Sequence, residues 1–445
     1  MTTNLKTGLV VGLLLVLTRL ASAGEEPTKA DIPQNLPAEL KAMIEQTFSP
    51  DPAKRAEAAT RLGEMGKKAA PAIPFLIRLL GDDASISKHD YVYVSTVARG
   101  SLAAIGPSAV EPVLAAFGRS SGRKRLAALY TLGQLKDQRV IARFLSLLND
   151  PDEDMRSRAA NCLKDYLKDN PEFRELSGLR QSLIRALEDK NPNVRSYIAG
   201  AVGECHYSDA FEPLMKMLKD TDPYVRGEVI AALGDLGDPR AREELRTIVE
   251  TASEKIRAYS FVGSAAAKSI GKIGRKRADE GNASVFLVGV AIESHWPQEI
   301  RCGAIHGLAE LGDRDVVESL MTVACDPSEP ECVRAAAIAA IADLQGRKVA
   351  PLLKRWATNK TGVWDVQNVA AEKLVDVTNG EVDDVAIVKL IARNYRYEGY
   401  DDDKLALKKI AKHGKTKEVR QAAQEVIDES LMPKKKRSDT SHKKD

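Results

Sequence analysis

The stretch from Thr221 to Glu250, TDPYVRGEVIAALGDLGDPRAREELRTIVE, has the length and layout of the stretch before it, Asn191 to Asp220, and this internal period limits the fold more than any other feature. Each unit reads as two helices. Asp222 caps a helix whose first residue, Pro223, lacks only an N–H that would have no partner there, and Asn191-Pro192 and Asp51-Pro52 open in the same way. Apolar residues then recur at helical spacing through Val225, Val229, Ala232, Leu233 and Leu236. Gly237 suits the left-handed backbone that ends such a helix, Asp238 caps the next one and Pro239 opens it. A unit this short cannot enclose a core of its own, so it must bury its apolar side against its neighbours in series.

Aligned on this turn, the units carry an arginine at one equivalent position: Arg125, Arg156, Arg195, Arg226, Arg257, Arg301 and Arg334. Two steps are longer, one through the connection from Asn170-Pro171 to Gly178 and one through the insertion Gly274-Arg275-Lys276-Arg277 to Gly281. Two further units precede the series, from Asp51 to Asp83 and from near His89 to Ser120. After Arg334 the pattern weakens, with Gln367 in the arginine position and Glu418-Val419-Arg420 opening a last partial unit. The sequence thus predicts an all-α solenoid, a superhelix of about ten or eleven hairpins, over residues 51–430, preceded by a linker and short helix over 24–50. Each arginine lies on a first helical turn, within reach of the cap carboxylate and of carbonyls or acidic groups of a neighbouring turn. We expect it to serve repeat stacking, not phosphate binding. A single exposed pair contributes about 0–1 kcal/mol, which fixes register while apolar burial supplies the stability.

The opening D-P-x-V-R followed by A-A-L-G-x-L-G-D-P-R, nearly whole from Asp222 to Arg240, resembles the short HEAT-like repeats named after phycobilisome lyases. The resemblance runs from Asp51 to Ile427 with uneven fidelity. It implies HEAT-type hairpins, and it says little about activity, because such repeats occur in scaffolds, adaptors and inhibitors as well as in lyases. It also implies that second helices line an inner surface, which would place Phe75–Leu80, Glu212–Leu218, Arg240–Val249, Arg314–Ala324 and Val349–Ala357 there.

Composition agrees with stacked, thin helices. At 445 residues the chain exceeds what one core usually spans, and although 44% of it is hydrophobic only 5% is aromatic, leaving Ala, Leu, Val and Ile as the packing material. The N-terminus reads as a signal peptide over residues 1–23: Lys6 is basic, Leu9 to Leu17 is apolar, and Ala21-Ser22-Ala23 suits a signal peptidase. That apolar run is far shorter than the roughly 20 residues that span a bilayer. No later segment reads as a membrane span, and the expected location is the periplasm or the extracellular space. Leaving out the leader and the tail from Pro433, the body carries 58 basic and 61 acidic residues, a balance that argues against nucleic acid as a partner. The tail, residues 431–445, contains Pro433-Lys434-Lys435-Lys436-Arg437. Behind a leader this run reads as a disordered basic segment making weak contact with an anionic surface, not as a nuclear signal.

Motifs for chemistry are missing. There is no H-E-x-x-H, paired C-x-x-C, G-x-S-x-G or phosphate-cradling loop, so no catalytic residue and no cofactor is expected. Cys302 and His306 share a helix face, with His295 near the start of that unit, but two ligands on one helix do not make a metal site. The acidic run Asp150, Asp152, Glu153 and Asp154 suits the positive end of a helix. Cys162 and Cys205 fall at core positions of the repeat. Cys325 and Cys332 flank the turn Asp326–Glu331 and are the candidate disulfide. Aromatics concentrate late in the chain, at Trp356, Trp364, Tyr395, Tyr397 and Tyr400, which makes these the candidate partner-binding residues. The function expected from all this is an exported scaffold for a protein or extended peptide. The alternatives are a bilin lyase-like enzyme, which only the resemblance suggests, and a structural component of the cell envelope.

Overall fold

The computed structural model describes residues 26–86, 92–252, 257–275, 280–359, 362–398 and 401–431. The expected signal peptide and the basic run of the tail lie outside these residues. Among the described residues the chain is all-α, the one β feature being an isolated bridge between Ser85 and Tyr93. It divides into two compact units, one ending at Tyr207 and one beginning at Ser208.

In the first unit, α1 (Ala38–Gln46) precedes the pairs α2 (Pro52–Glu64) and α3 (Ile73–Leu79), α4 (Val94–Ile105) and α5 (Val110–Arg119), α6 (Gly122–Gln134) and α7 (Gln138–Leu147), and α8 (Glu153–Asp169) and α9 (Leu179–Ala186), and α10 (Pro192–Cys205) follows. First helices pack in series, α2 on α4, α4 on α6, α6 on α8 and α8 on α10, and each second helix seats against the first helix of the next pair. Contacts of this kind stay local in sequence, the mark of a solenoid. The buried residues between them are mostly small or aliphatic, such as Ala59 and Leu62, Ala98 and Leu102, Ala128 and Leu132, Ala160 and Leu163, and Ala199 and Val202.

The second unit repeats this order. It contains α11 (Phe211–Met217), α12 (Pro223–Leu236), α13 (Arg242–Ala252), α14 (Arg257–Arg275), α15 (Glu280–Ile292), α16 (Gln298–Leu311), α17 (Val317–Cys325), α18 (Glu331–Gln345), α19 (Ala350–Ala357), α20 (Trp364–Thr378), α21 (Val385–Glu398), α22 (Asp401–His413) and α23 (Lys417–Leu431). Here α12, α14, α16, α18, α20 and α22 form the series of first helices. Their starts and stops follow from the turn chemistry. Asp222 Oδ1 accepts from the Tyr224 and Val225 amides at 2.8 and 3.2 Å, and Gly237, at φ +71°, ends α12 with its N–H on the Leu233 carbonyl. Asn191 and Asp51 cap α10 and α2 in the same manner. At the second start the structure refines the expectation: Asp238 caps a short 3-10 turn, Pro239–Ala241, and α13 proper begins at Arg242.

Helices α14 and α16 approach each other closely. A Cβ built on Gly271 would lie 2.0 Å from the Gly307 carbonyl oxygen, and one on Gly303 would lie 2.4 Å from the Ser264 carbonyl oxygen. Backbone thus meets backbone here, which only glycine permits.

Candidate binding surface

Three arginines of the row close the loop in front of their own helices. Arg156 Nη1 donates to the carbonyls of Asp150 and Pro151, Arg195 to those of Asp189 and Lys190, and Arg226 to those of Asp220 and Thr221. The remaining edge of the guanidinium reaches forward one repeat. Arg156 holds the Asp189 carboxylate through Nε and Nη2 at 2.8 and 3.1 Å, Arg301 holds Glu329 at 2.6 and 2.8 Å, and Arg125 approaches Asp150 at 3.5 Å. Asp189 therefore serves two repeats, with its side chain on Arg156 and its carbonyl on Arg195. Burial works against its charged form, but the bonds from Arg156 outweigh this and hold its pKa below the usual carboxylate value. Arg334 Nε donates to the Ala324 carbonyl at 3.3 Å. Arg257 opens α14, and its side chain lies outside the described set. The cap carboxylates are not the partners, because Asp222 and its equivalents already accept from their own helix amides. Arg55, which binds Asp82 through two bonds of 2.6 and 3.0 Å, belongs to the same row and escaped the sequence alignment.

A second row of charges links first helices in the second unit. Lys272 on α14 reaches Asp235 on α12 at 2.6 Å, Lys373 on α20 reaches Asp343 on α18 at 2.6 Å, and Lys409 on α22 reaches Asp376 on α20 at 2.9 Å. The stretch from α14 to α18 lies between the first two of these pairs. An open groove of about 480 Å³ lies there, lined by Lys268 and Arg275 of α14, His306 and Glu310 of α16, Arg314, and Asp343 of α18. Lys268, Arg275 and Arg314 are exposed cations, burial lowers the His306 pKa and so favours its neutral form, and Asp343 is engaged by Lys373, so against Glu310 the charge of the groove is mainly positive.

The late aromatics do not form one cluster. Trp356 on α19, Trp364 at the start of α20 and Tyr395 on α21 are each half-buried, with no ring-to-ring contact among the three. The Trp364 ring carries the Arg393 guanidinium, 4.1 Å from its centroid. The side chain of Tyr397 and the whole of Tyr400 lie outside the described residues. Residues assigned to an inner surface are second helices, whose apolar stripes, for example Leu214, Leu245, Val249, Leu320 and Leu353, are buried.

All five cysteines are free thiols. Burial pushes the Cys162 thiol up to about 12 and the Cys205 thiol up to about 11, so both stay protonated at neutral pH. Cys325 and Cys332, the candidate pair, are both exposed. Cys325 ends α17 and Cys332 sits in the first turn of α18, where its Sγ faces α16, 3.5 Å from Gln298 Oε1. Around Cys302 and His306 no third ligand gathers: among the described residues no group of three His, Cys, Asp or Glu could hold a metal ion. No single helix among them is long and apolar enough to cross a membrane.

The sequence matches the model of HEAT repeats over residues 110–177, 180–264 and 288–375. No curated protein matches it. Among solved structures it is similar to yeast importin-β (Kap95p), at 14% identity over 90% of this chain and 59% of that chain, with a TM-score of 0.53. A second importin-β structure is 12% identical over 93% of this chain and 65% of that one, with a TM-score of 0.52. The chain thus spans about three fifths of the importin-β length. The CpcE–CpcF phycocyanin lyase complex from Nostoc is 20% identical over 66% of this chain and 94% of its own, with a TM-score of 0.33.

Proposed function

Since the chain belongs to the HEAT-repeat family, we propose that it is an exported, non-catalytic scaffold that holds an extended segment of a protein partner across consecutive repeats. One observation carries this reading: the groove lined by α14, α16 and α18 is open and bridges three successive first helices, a shape that suits an extended chain better than a small enclosed substrate. Its exposed cations favour an acidic segment. Trp356 and Tyr395, with the other late aromatics, supply a second candidate contact region. Export rests on Lys6, the Leu9–Leu17 run and Ala21-Ser22-Ala23.

Two measurements test the proposal. Expressed in an exporting host, the protein is expected in the extracytoplasmic fraction with Gly24 as its first residue; an intact N-terminus in the cytosol refutes export. Affinity capture from that fraction is expected to return a partner whose binding weakens with added salt and drops at least tenfold in the Lys268→Glu/Arg275→Glu variant. Unchanged capture by that variant, with loss in Trp356→Ala/Tyr397→Ala, moves the contact to the aromatic region, and capture indifferent to both removes the two surfaces from consideration.

A further inference from the structure

We propose that Cys302 and Cys332 form an oxidative cross-link site that ties two consecutive repeats together through their first helices, α16 and α18. The two helices pack side by side in the series. Gln298 and Cys302 are one turn apart on α16, and so lie on one face of it. Cys332, from the first turn of α18, sits on that face: its Sγ donates to Gln298 Oε1 at 3.5 Å, one helical turn from Cys302. Cys325, at the far end of the preceding loop, is exposed and has no part in this contact.

The chemistry follows from the difference between the two thiols. Cys332 is exposed and Cys302 half-buried, and burial, with Cys332 next to it, pushes the Cys302 thiol up to about 12. Cys332 therefore reacts first with a small-molecule disulfide such as oxidised glutathione. Its thiolate attacks one sulfur, a mixed disulfide forms, and one glutathione thiolate leaves and takes up the Cys332 proton. Cys302 then attacks Cys332 Sγ, the mixed disulfide breaks, and the second glutathione leaves with the Cys302 proton. Two thiols are oxidised to one disulfide, and one glutathione disulfide is reduced to two thiols. A bond here would fix the spacing of two helices whose packing otherwise depends on small side chains, at the repeat next to the open groove. It does not depend on the scaffold reading, and either can fail alone.

The test uses the full chain, treated with oxidised glutathione, blocked with iodoacetamide and mapped as peptides without reduction. The expected product joins the Cys302 peptide to the Cys332 peptide with loss of two hydrogen atoms, leaves Cys325 alkylated, and is retained in Cys325→Ser. Cys332→Ser and Cys302→Ala are each expected to abolish it, and the closed form is expected to unfold at higher urea than the reduced form. A Cys325–Cys332 link, or a chain in which Cys332 carries glutathione while Cys302 remains alkylated at every time point, overturns the proposal. Because the wild-type map alone decides between these products, it holds even if a variant fails to fold.

Discussion

Arg301→Ala is expected to destabilise the second unit by about 3–5 kcal/mol, far more than removal of a half-exposed arginine of the row such as Arg125. Arg301 is 2% exposed, and every edge of its guanidinium is engaged, with Nε on the Ala291 carbonyl at 2.9 Å and both terminal nitrogens on Glu329. Alanine would leave the Glu329 carboxylate, whose side chain is only 13% exposed, without its counter-charge, and the Ala291 carbonyl without its donor. Arg125 makes the useful comparison. Its contact with Asp150 is 3.5 Å long and its side chain 31% exposed, so Arg125→Ala is expected to cost less than about 1 kcal/mol. Urea unfolding followed by circular dichroism would rank the two. Hydrogen exchange would show whether the Arg301 loss is confined to α15–α18, as expected where repeats contact only their neighbours. Equal costs for Arg301→Ala and Arg125→Ala would mean that burial does not set the weight of the rung. The double variant Arg301→Met/Glu329→Gln is expected to recover much of the loss, since it removes the orphaned charge as well as the pair.

What could be read from the sequence is what is local. The Asp222 cap, Gly237 stop and Asp238 restart are each fixed by groups a few residues apart, and the helices begin and end close to where that chemistry puts them. The arginine row was legible as a row but its acidic partners were not, because Asp189 lies 33 residues from Arg156 and Glu329 lies 28 from Arg301. Only the stacking of repeats brings such pairs together. At Cys325 and Cys332 the seven-residue separation suggested a staple, but nothing near Cys332 in the sequence announces its contact with Gln298, 34 residues away on α16. The Trp364 ring shows the same limit, since its partner Arg393 is on the following helix and nothing near Trp364 in the sequence announces it. The groove is the least legible feature, because Lys268, His306, Arg314 and Asp343, which line it, come together only when three first helices stack.

Gly271→Val is the second change expected to do large damage, and it probes the other device that joins repeats. A single added methylene in a packed interface costs about 1–3 kcal/mol when neighbouring side chains must shift. Here the obstacle is backbone: the Gly307 oxygen, carbonyl carbon and Cα would lie 2.0, 2.5 and 2.6 Å from the new Cβ, and no rotamer relieves that. Helices α14 and α16 must move apart, which would also strain the approach of Gly303 to Ser264 and expose Ala267 and Ala304, now fully buried. We expect at least about 3 kcal/mol from a change of this kind, with faster hydrogen exchange on both helices. Gly100→Ala is the control. Gly100 lies in the middle of α4, and nothing stands within 4 Å of the position its Cβ would take, so alanine there is expected to stabilise by about 0.5–1 kcal/mol through helix propensity. The opposite signs separate the conformational effect of losing a glycine from the steric one. A tolerated Gly271→Val would mean that α14 and α16 are held apart in solution, and their backbone contact would then not be what sets the spacing of these repeats.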